Sequence, residues 1–376
     1  MKKLKVATVI GTRPEIIRLS ATMKLLDKQL NQVVIHTGQN YDYELNEVFF
    51  EDLGLRKPDY FLNVDTSSLG HVLGETLIKS EEVFKKEMPD AVLVLGDTNS
   101  CIVSIIAKRM RIPVFHMEAG NRSFDMNVPE EINRRIVDHV ADFNMVYTEH
   151  ARRHLLSEGL QHRRIYLTGS PMYEVLHQNM EKIDGSDILN KLQLEKNRYF
   201  VISTHREENV DNERHLRLII DILNGLATKY NVPVIVSTHP RTKNKLAALS
   251  EVEIDKRVQF LKPFGFFDYV NLQKNAMCTI SDSGTISEES AILSFPAISL
   301  RQSMERPEAQ DCGNIILSGF DKDIVMDSVD LVIQEHQSGT YQHIPEEYKI
   351  ENTSWRVLKL ILGNAGLNNK WWGINK

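Results

Sequence analysis

Short runs of β-branched and aliphatic residues alternate with stretches whose apolar positions recur every three to four residues along most of the chain. That alternation is the pattern of βαβ units, which build parallel sheets. In the first half, the runs at 4–10, 33–37, 91–95, 113–117, 144–148 and 164–168 predict six strands of one sheet. A polar break around 169–196, containing Asp184, Gly185 and Ser186, interrupts the rhythm. It restarts at 199–204, 233–238, 257–261, 277–281, 297–300 and 314–317, which predicts a second α/β half, two Rossmann-like halves in all with a cleft between them. Residues 355–362 have helical apolar spacing, and Trp371 and Trp372 read as packing groups. No short repeat or low-complexity stretch interrupts the pattern.

Composition narrows the function. A chain of 376 residues exceeds one ordinary core, so two domains are expected. With 42% hydrophobic and 26% charged residues it has the mix of a soluble globular protein, and a net charge of −6 provides no basic field for nucleic acid. Cys101, Cys278 and Cys312 are widely spaced, which argues against a disulfide framework or a zinc knuckle and fits a reducing cytoplasm. The apolar run after MKKLK is too short for a signal peptide, and no stretch approaches membrane-spanning length, so no membrane partner is expected.

The chemistry collects where strands end, the place where open α/β sheets bind ligands. The densest stretch is 113–135, PVFHMEAGNRSFDMNVPEEINRR. It carries Glu118 straight off a strand, and Pro129 opens a helix with Glu130, Glu131, Arg134 and Arg135 in its first turns. Helical spacing would pair Glu130 with Arg134 and Glu131 with Arg135 on the surface, which competes with a role in chemistry. GTRPE at 11–15 puts Arg13 beside a helix N-terminus, an anion site, and the glycines of a dinucleotide fingerprint are missing, so no NAD is expected. Asp97 in GDTNS either caps a helix or forms a carboxylate pair with Glu118, in which one group could retain a proton and serve as acid. His205 in STHREEN and His239 in STHP follow equivalent strands, pointing to one cleft more than to two packing roles. A zinc site is disfavoured because no ligand spacing such as HExxH occurs, and His150 and His154, interleaved with Arg152 and Arg153, read as a solvated helix face. SDSGTISEES at 281–290 can cradle a diphosphate with Ser283, Gly284 and Thr285 at a helix start, with Glu289 placed to cap that helix or hold ribose hydroxyls. Arg306 in MERPEA could neutralise a leaving diphosphate.

GTRPE, GDTNS, HMEAGNR, PEEINRR, THREEN, SDSGT and ERPEA, in this order over nearly the whole chain, resemble the non-hydrolysing UDP-N-acetylglucosamine 2-epimerase family. The resemblance implies a GT-B fold with domains at 1–170 and 171–354, an active site in the cleft, a C-terminal helix over 355–376 returning to the first domain, and a homodimer. It implies catalytic roles for Asp97, Glu118, Glu130 and His205. UDP-binding roles follow for Arg13, Arg18, His239, Ser283, Gly284, Thr285, Glu289 and Arg306, with no cofactor and no metal. Arg18 stands where many members have lysine, and SGT replaces the common SGG. TGQNYDYELNEVFF, HMEAGNRSFD and RQSMERPEAQD look most like the UDP-N-acetyl-L-fucosamine synthase branch, whose substrate is UDP-2-acetamido-2,6-dideoxy-L-talose and whose product serves capsule or O-antigen synthesis. The alternatives are epimerisation of UDP-N-acetylglucosamine and, from another class, a GT-B glycosyltransferase.

Overall fold

The computed structural model describes residues 3–38, 49–204, 213–238, 245, 253–339 and 344–374. The chain divides into two compact units, Met1–Gln178 with Glu346–Lys376, and Asn179–Pro345.

The first unit contains a seven-stranded parallel sheet in the order β3-β2-β1-β4-β5-β6-β7. Its strands are β1 (Lys5–Ile10), β2 (Asn31–His36), β3 (Tyr60–Phe61), β4 (Ala91–Leu95), β5 (Val114–Ala119), β6 (Phe143–Val146) and β7 (Ile165–Leu167). The AVLVL of β4 is buried at every position, as expected of a central parallel strand covered by helices on both faces. Val9, Ile35, Val92, Val94 and Val114 share one core with Phe84, Val103 and Val137 from the covering helices. Six strands were expected here; the seventh, β3, is a two-residue edge strand too short to carry any periodicity. The helix Thr353–Trp371 also belongs to this unit, where Thr353 Oγ1 donates to the Thr168 and Ser170 carbonyls at 3.1 Å each. Ser354 N donates to Glu174 Oε2 at 2.9 Å, and Asn369 Nδ2 reaches the Arg111 carbonyl at 3.1 Å.

The second unit repeats the plan with six parallel strands in the order β10-β9-β8-β11-β12-β13. They are β8 (Phe200–Ser203), β9 (Val234–Ser237), β10 (Val258–Leu261), β11 (Cys278–Ser281), β12 (Ala297–Ser299) and β13 (Ile316–Leu317). Phe200, Ile202, Val234, Val236, Ile280 and Ile298 pack against Leu223 and Leu226 of the helix Glu213–Tyr230 and Val325 and Val329 of the helix Lys322–Ser338. In both sheets the strand order reverses beside the first strand of its unit, between β1 and β4 and between β8 and β11. Crevices outside the carboxyl ends of strands at such reversals are where ligands bind in open α/β sheets. Among the described residues, no helix is long and apolar enough to cross a membrane.

Candidate active site

At the β1 reversal the chain passes through Gly11 and Thr12 into the helix Arg13–Gln29. Glu15 closes this turn by accepting from Gly11 N at 3.0 Å, Thr12 N at 2.7 Å and Thr12 Oγ1 at 2.8 Å, and it also accepts from the Ser100 hydroxyl beyond β4. Burial pushes its carboxyl above the ordinary value, an effect those hydrogen bonds offset only in part. Arg13 is the first helical residue, with its guanidinium 5.5 Å from the centre of the Phe49 ring. Arg18, one turn farther in, is buried and paired with Glu118.

Glu118 ends a strand in an unusual way. β5 continues to Ala119 where the sequence pattern stopped at 117, and a register shift between Met117 and Ala119 on β6 marks a bulge centred on Glu118. There the backbone takes φ +63°, the left-handed region, which costs a residue with a Cβ about 1–3 kcal/mol and is found chiefly at functional sites. Gly120 follows at φ +80°, and a Cβ there would lie 2.5 Å from the Ala151 carbonyl oxygen, so only glycine lets the loop pass this close to the next helix.

Asp97 does not cap the short helix after β4; the capping position is Thr98. Its carboxylate pairs with Arg134 from the helix Pro129–Val140. Asn133 of the same helix donates to the Asp97 carbonyl at 2.9 Å and to Asn99 Oδ1 at 3.1 Å. Asp97 and Glu118 therefore each face a buried guanidinium of their own. Of the surface pairs suggested by helical spacing, Glu131 with Arg135 forms, at 2.8 Å. Arg134 instead turns inward to Asp97, because its face of the helix packs toward the end of β4, and Glu130 stays exposed in the first turn. Glu131 is fully buried and accepts from Ser123 N at 2.9 Å, fixing the loop after Glu118 to this helix.

Beneath that loop lies a cluster the sequence did not reveal. Arg122, fully buried, grips Glu158 with Nε and Nη2 at 2.7 Å each and Asp138 with Nη1 at 2.7 Å. The Arg122 fork, with help from His139 and Arg135, holds the Glu158 carboxyl at about 2. A carboxylate depressed in the folded state adds stability that is fully present above its unfolded value near 4.5 and is lost as pH falls through 2. Acid unfolding of the native chain is therefore expected to begin below about pH 4.5 and steepen toward pH 2, whereas Glu158→Gln should show a shallower acid limb; parallel limbs in a circular-dichroism titration would refute this. His154, expected on a solvated face, is half-buried. Its Nδ1 is 3.0 Å from the Gly120 carbonyl, its ring is edge-on to Phe124 at 5.3 Å, and burial lowers its affinity for a proton.

In the second unit, β11 leads through Asp282, Ser283 and Gly284 to Thr285, which caps the helix Ile286–Leu293. Ser283 and Thr285 hydroxyls bond each other at 2.9 Å, and Thr285 N donates to Ser283 Oγ at 3.3 Å. The turn, Ser299 and the loop after β12 line a hollow of about 10 Å³ whose wall includes Arg301 and Arg306. Arg306 pairs with the fully buried Glu288 and donates to the Gly284 carbonyl at 3.2 Å, so it braces the turn that could hold a diphosphate. Arg301 binds Glu305 at 2.8 Å behind the same turn, and Glu289 accepts from Gln273 Nε2 at 2.8 Å. His205 and His239 lie outside the described residues, as does most of TGQNYDYELNEVFF. Among the described residues no group of three or more His, Cys, Asp and Glu side chains is placed to hold a metal ion.

The geometry thus joins Arg18 to Glu118 and Asp97 to Arg134 in the first unit, and Ser283, Gly284, Thr285 and Arg306 in the second. The chain is similar to known proteins over most of its length. A structure of UDP-N-acetylglucosamine 2-epimerase from Rickettsia bellii is 45% identical and superposes with a TM-score of 0.91 over 99% of this chain and 100% of that one. The Methanocaldococcus jannaschii UDP-GlcNAc 2-epimerase, crystallised with UDP-GlcNAc and UDP, is 33% identical with a TM-score of 0.88, covering 96% of this chain and 100% of that one. The UDP-2,3-diacetamido-2,3-dideoxy-D-glucuronate 2-epimerase of Pseudomonas aeruginosa is 33% identical over 86% of this chain and 91% of its own length. The family model described as UDP-N-acetylglucosamine 2-epimerase matches residues 24–362, and with two parallel-sheet domains of the GT-B type the chain belongs to that family of non-hydrolysing UDP-sugar 2-epimerases.

Proposed function

We propose that this epimerase inverts carbon 2 of UDP-2-acetamido-2,6-dideoxy-β-L-talose to give UDP-N-acetyl-L-fucosamine. The observation that carries the chemistry is the strained, arginine-bound Glu118 on β5, the strand next to β4, whose end leads to Asp97. The hydrogen on carbon 2 has no adjacent carbonyl to acidify it, so its removal is coupled to departure of UDP from carbon 1. Loss of the proton and of UDP leaves a glycal; return of UDP oxygen to carbon 1 and delivery of a proton to the opposite face of carbon 2 give the epimer, with no net redox change and no cofactor.

Asp97, Glu118, Glu130 and His205 divide the proton transfers. Arg13, His239, Ser283, Gly284, Thr285, Glu289 and Arg306 bind UDP, whose growing charge is stabilised by amides and guanidinium groups already in place. Arg18, expected among the UDP-binding groups, acts by holding Glu118. Two observations support the 6-deoxy sugar. The chain carries the branch-like motifs HMEAGNRSFD and RQSMERPEAQD, and the loop after Glu118 presents two exposed apolar side chains, Phe124 and Met126, at 68% and 61% exposure. A carbon-5 methyl suits such side chains better than a hydroxymethyl group, which would bring a hydroxyl needing a partner. The Pseudomonas relative also acts on a sugar other than N-acetylglucosamine, by its name. A cytoplasmic homodimer feeding capsule or O-antigen synthesis completes the proposal.

Proton NMR in heavy water with the purified chain and each UDP-sugar alone tests it. Deuterium at carbon 2 and a new epimer from the 6-deoxy-L-talo sugar is the expected result. The same outcome from UDP-N-acetylglucosamine alone would transfer the assignment to the glucosamine epimerases, and turnover only with an added acceptor would favour a transferase.

A further inference from the structure

Asp138 sits on the helix behind the catalytic loop, wholly buried, and touches Glu118's neighbours on both sides. Its two oxygens each lie 3.2 Å from Gly120 N, two residues after Glu118. Oδ1 is 3.0 Å from Nδ1 of His116, two residues before Glu118, and Oδ2 takes the 2.7 Å bond from Arg122. The other His116 nitrogen, Nε2, is 2.8 Å from the carbonyl of Gly96, the residue preceding Asp97. His116 therefore ties the ends of β4 and β5 together through Nε2 and lies within ion-pair distance of Asp138 through Nδ1. Burial alone would push the Asp138 carboxyl up, but His116 and Arg122 outweigh it and keep the group ionised.

We propose that Asp138, with His116 as its link to the Asp97 strand, is a positioning residue for catalysis: it holds the left-handed backbone at Glu118 and thereby aims the Glu118 carboxylate and sets its spacing from Asp97. This rests on the epimerase reading of Glu118. None of the three groups in the cluster is open to solvent, with His116 and Asp138 at 0% exposure and Arg122 at 1%, so they act through the backbone and not on substrate. A merely structural cluster would have no reason to converge on the residues flanking both carboxylates; contact with Gly120 N, His116 and, through it, Gly96 does so.

The test compares Asp138→Asn and His116→Gln with Val137→Ala, a truncation on the same helix of a side chain that packs in the apolar core. Functional sites are counted by UDP titration, and kcat is expressed per UDP-binding site. Asp138→Asn is expected to lose at least ten-fold in kcat per site, and His116→Gln several-fold, with UDP affinity within about two-fold of wild type; Val137→Ala should lower the melting temperature and leave kcat per site unchanged. If both cluster variants match Val137→Ala, losing stability without losing kcat per site, the positioning role is overturned. Should Asp138→Asn fail to fold, His116→Gln decides alone. Absence of carbon-2 exchange in the wild-type protein with either UDP-sugar would instead count against the epimerase reading itself.

Discussion

Replacing Glu118 with glutamine is expected to reduce kcat by about 10²–10⁴-fold, the usual worth of a positioned proton-transfer group, while UDP affinity stays near the wild-type value. The reasoning combines two observations. The backbone at Glu118 is held in a conformation that a side chain resists, and Arg18 closes on its carboxylate from a helix one hundred residues earlier in the chain. The amide keeps the size and an acceptor for Arg18 but cannot take a proton from carbon 2. UDP-binding groups are assigned mainly to the second unit, so their affinity serves as the internal control. Asp97→Asn should behave similarly, and full activity in both variants, measured as carbon-2 deuterium exchange, would remove these carboxylates from the mechanism.

The largest effect on stability is expected for Arg122→Met. Removing one member of a buried ion-paired set costs about 3–5 kcal/mol, chiefly because the partners left behind are charged and desolvated. Here the partner left behind is Asp138, wholly buried; Glu158 is less costly because its carboxylate keeps 19% of its exposure. Urea unfolding read by circular dichroism checks the figure. A companion change, Asp138→Asn in the Arg122→Met background, should cost less than the sum of the two single changes, since the two side chains share one network. A loss below about 1 kcal/mol for Arg122→Met would mean that the cluster relaxes or hydrates without penalty.

The two sheets were legible in the sequence because central parallel strands are apolar on both faces, and uninterrupted runs such as AVLVL and YFVIS announce themselves. β3 was not, since Tyr60 and Phe61 are too few to set a period. The motif residues at strand ends were also legible, because glycine, carboxylate and arginine directly after an apolar run are rarely just turn material. Their partnerships were not. Arg134 looked like a surface partner for Glu130, and it took the third dimension to bring Asp97 within its reach. Arg306 was read as able to neutralise a leaving diphosphate, and its pairing with Glu288 under the turn was not visible in the sequence. His154 and Arg122 are polar in sequence, yet the first is half-buried and the second fully buried because of the path of the loop bearing Gly120, set by left-handed residues at 118 and 120 that no hydrophobic pattern encodes.

The helix Thr353–Trp371 gives the chain an order of completion. Its residues Thr353, Ser354 and Asn369 bond to segments near positions 168, 174 and 111, so the first unit is finished by residues that follow the whole of the second. The intervening Asn179–Pro345 is contiguous and can close its own sheet while the rest is still being made. During synthesis, then, the second unit can mature first, and the unit that bears Asp97 and Glu118 acquires its last wall only once residues 353–371 have been made. A nascent chain stalled before residue 346 would carry the whole Ser283–Thr285 turn but a first unit still lacking its closing helix.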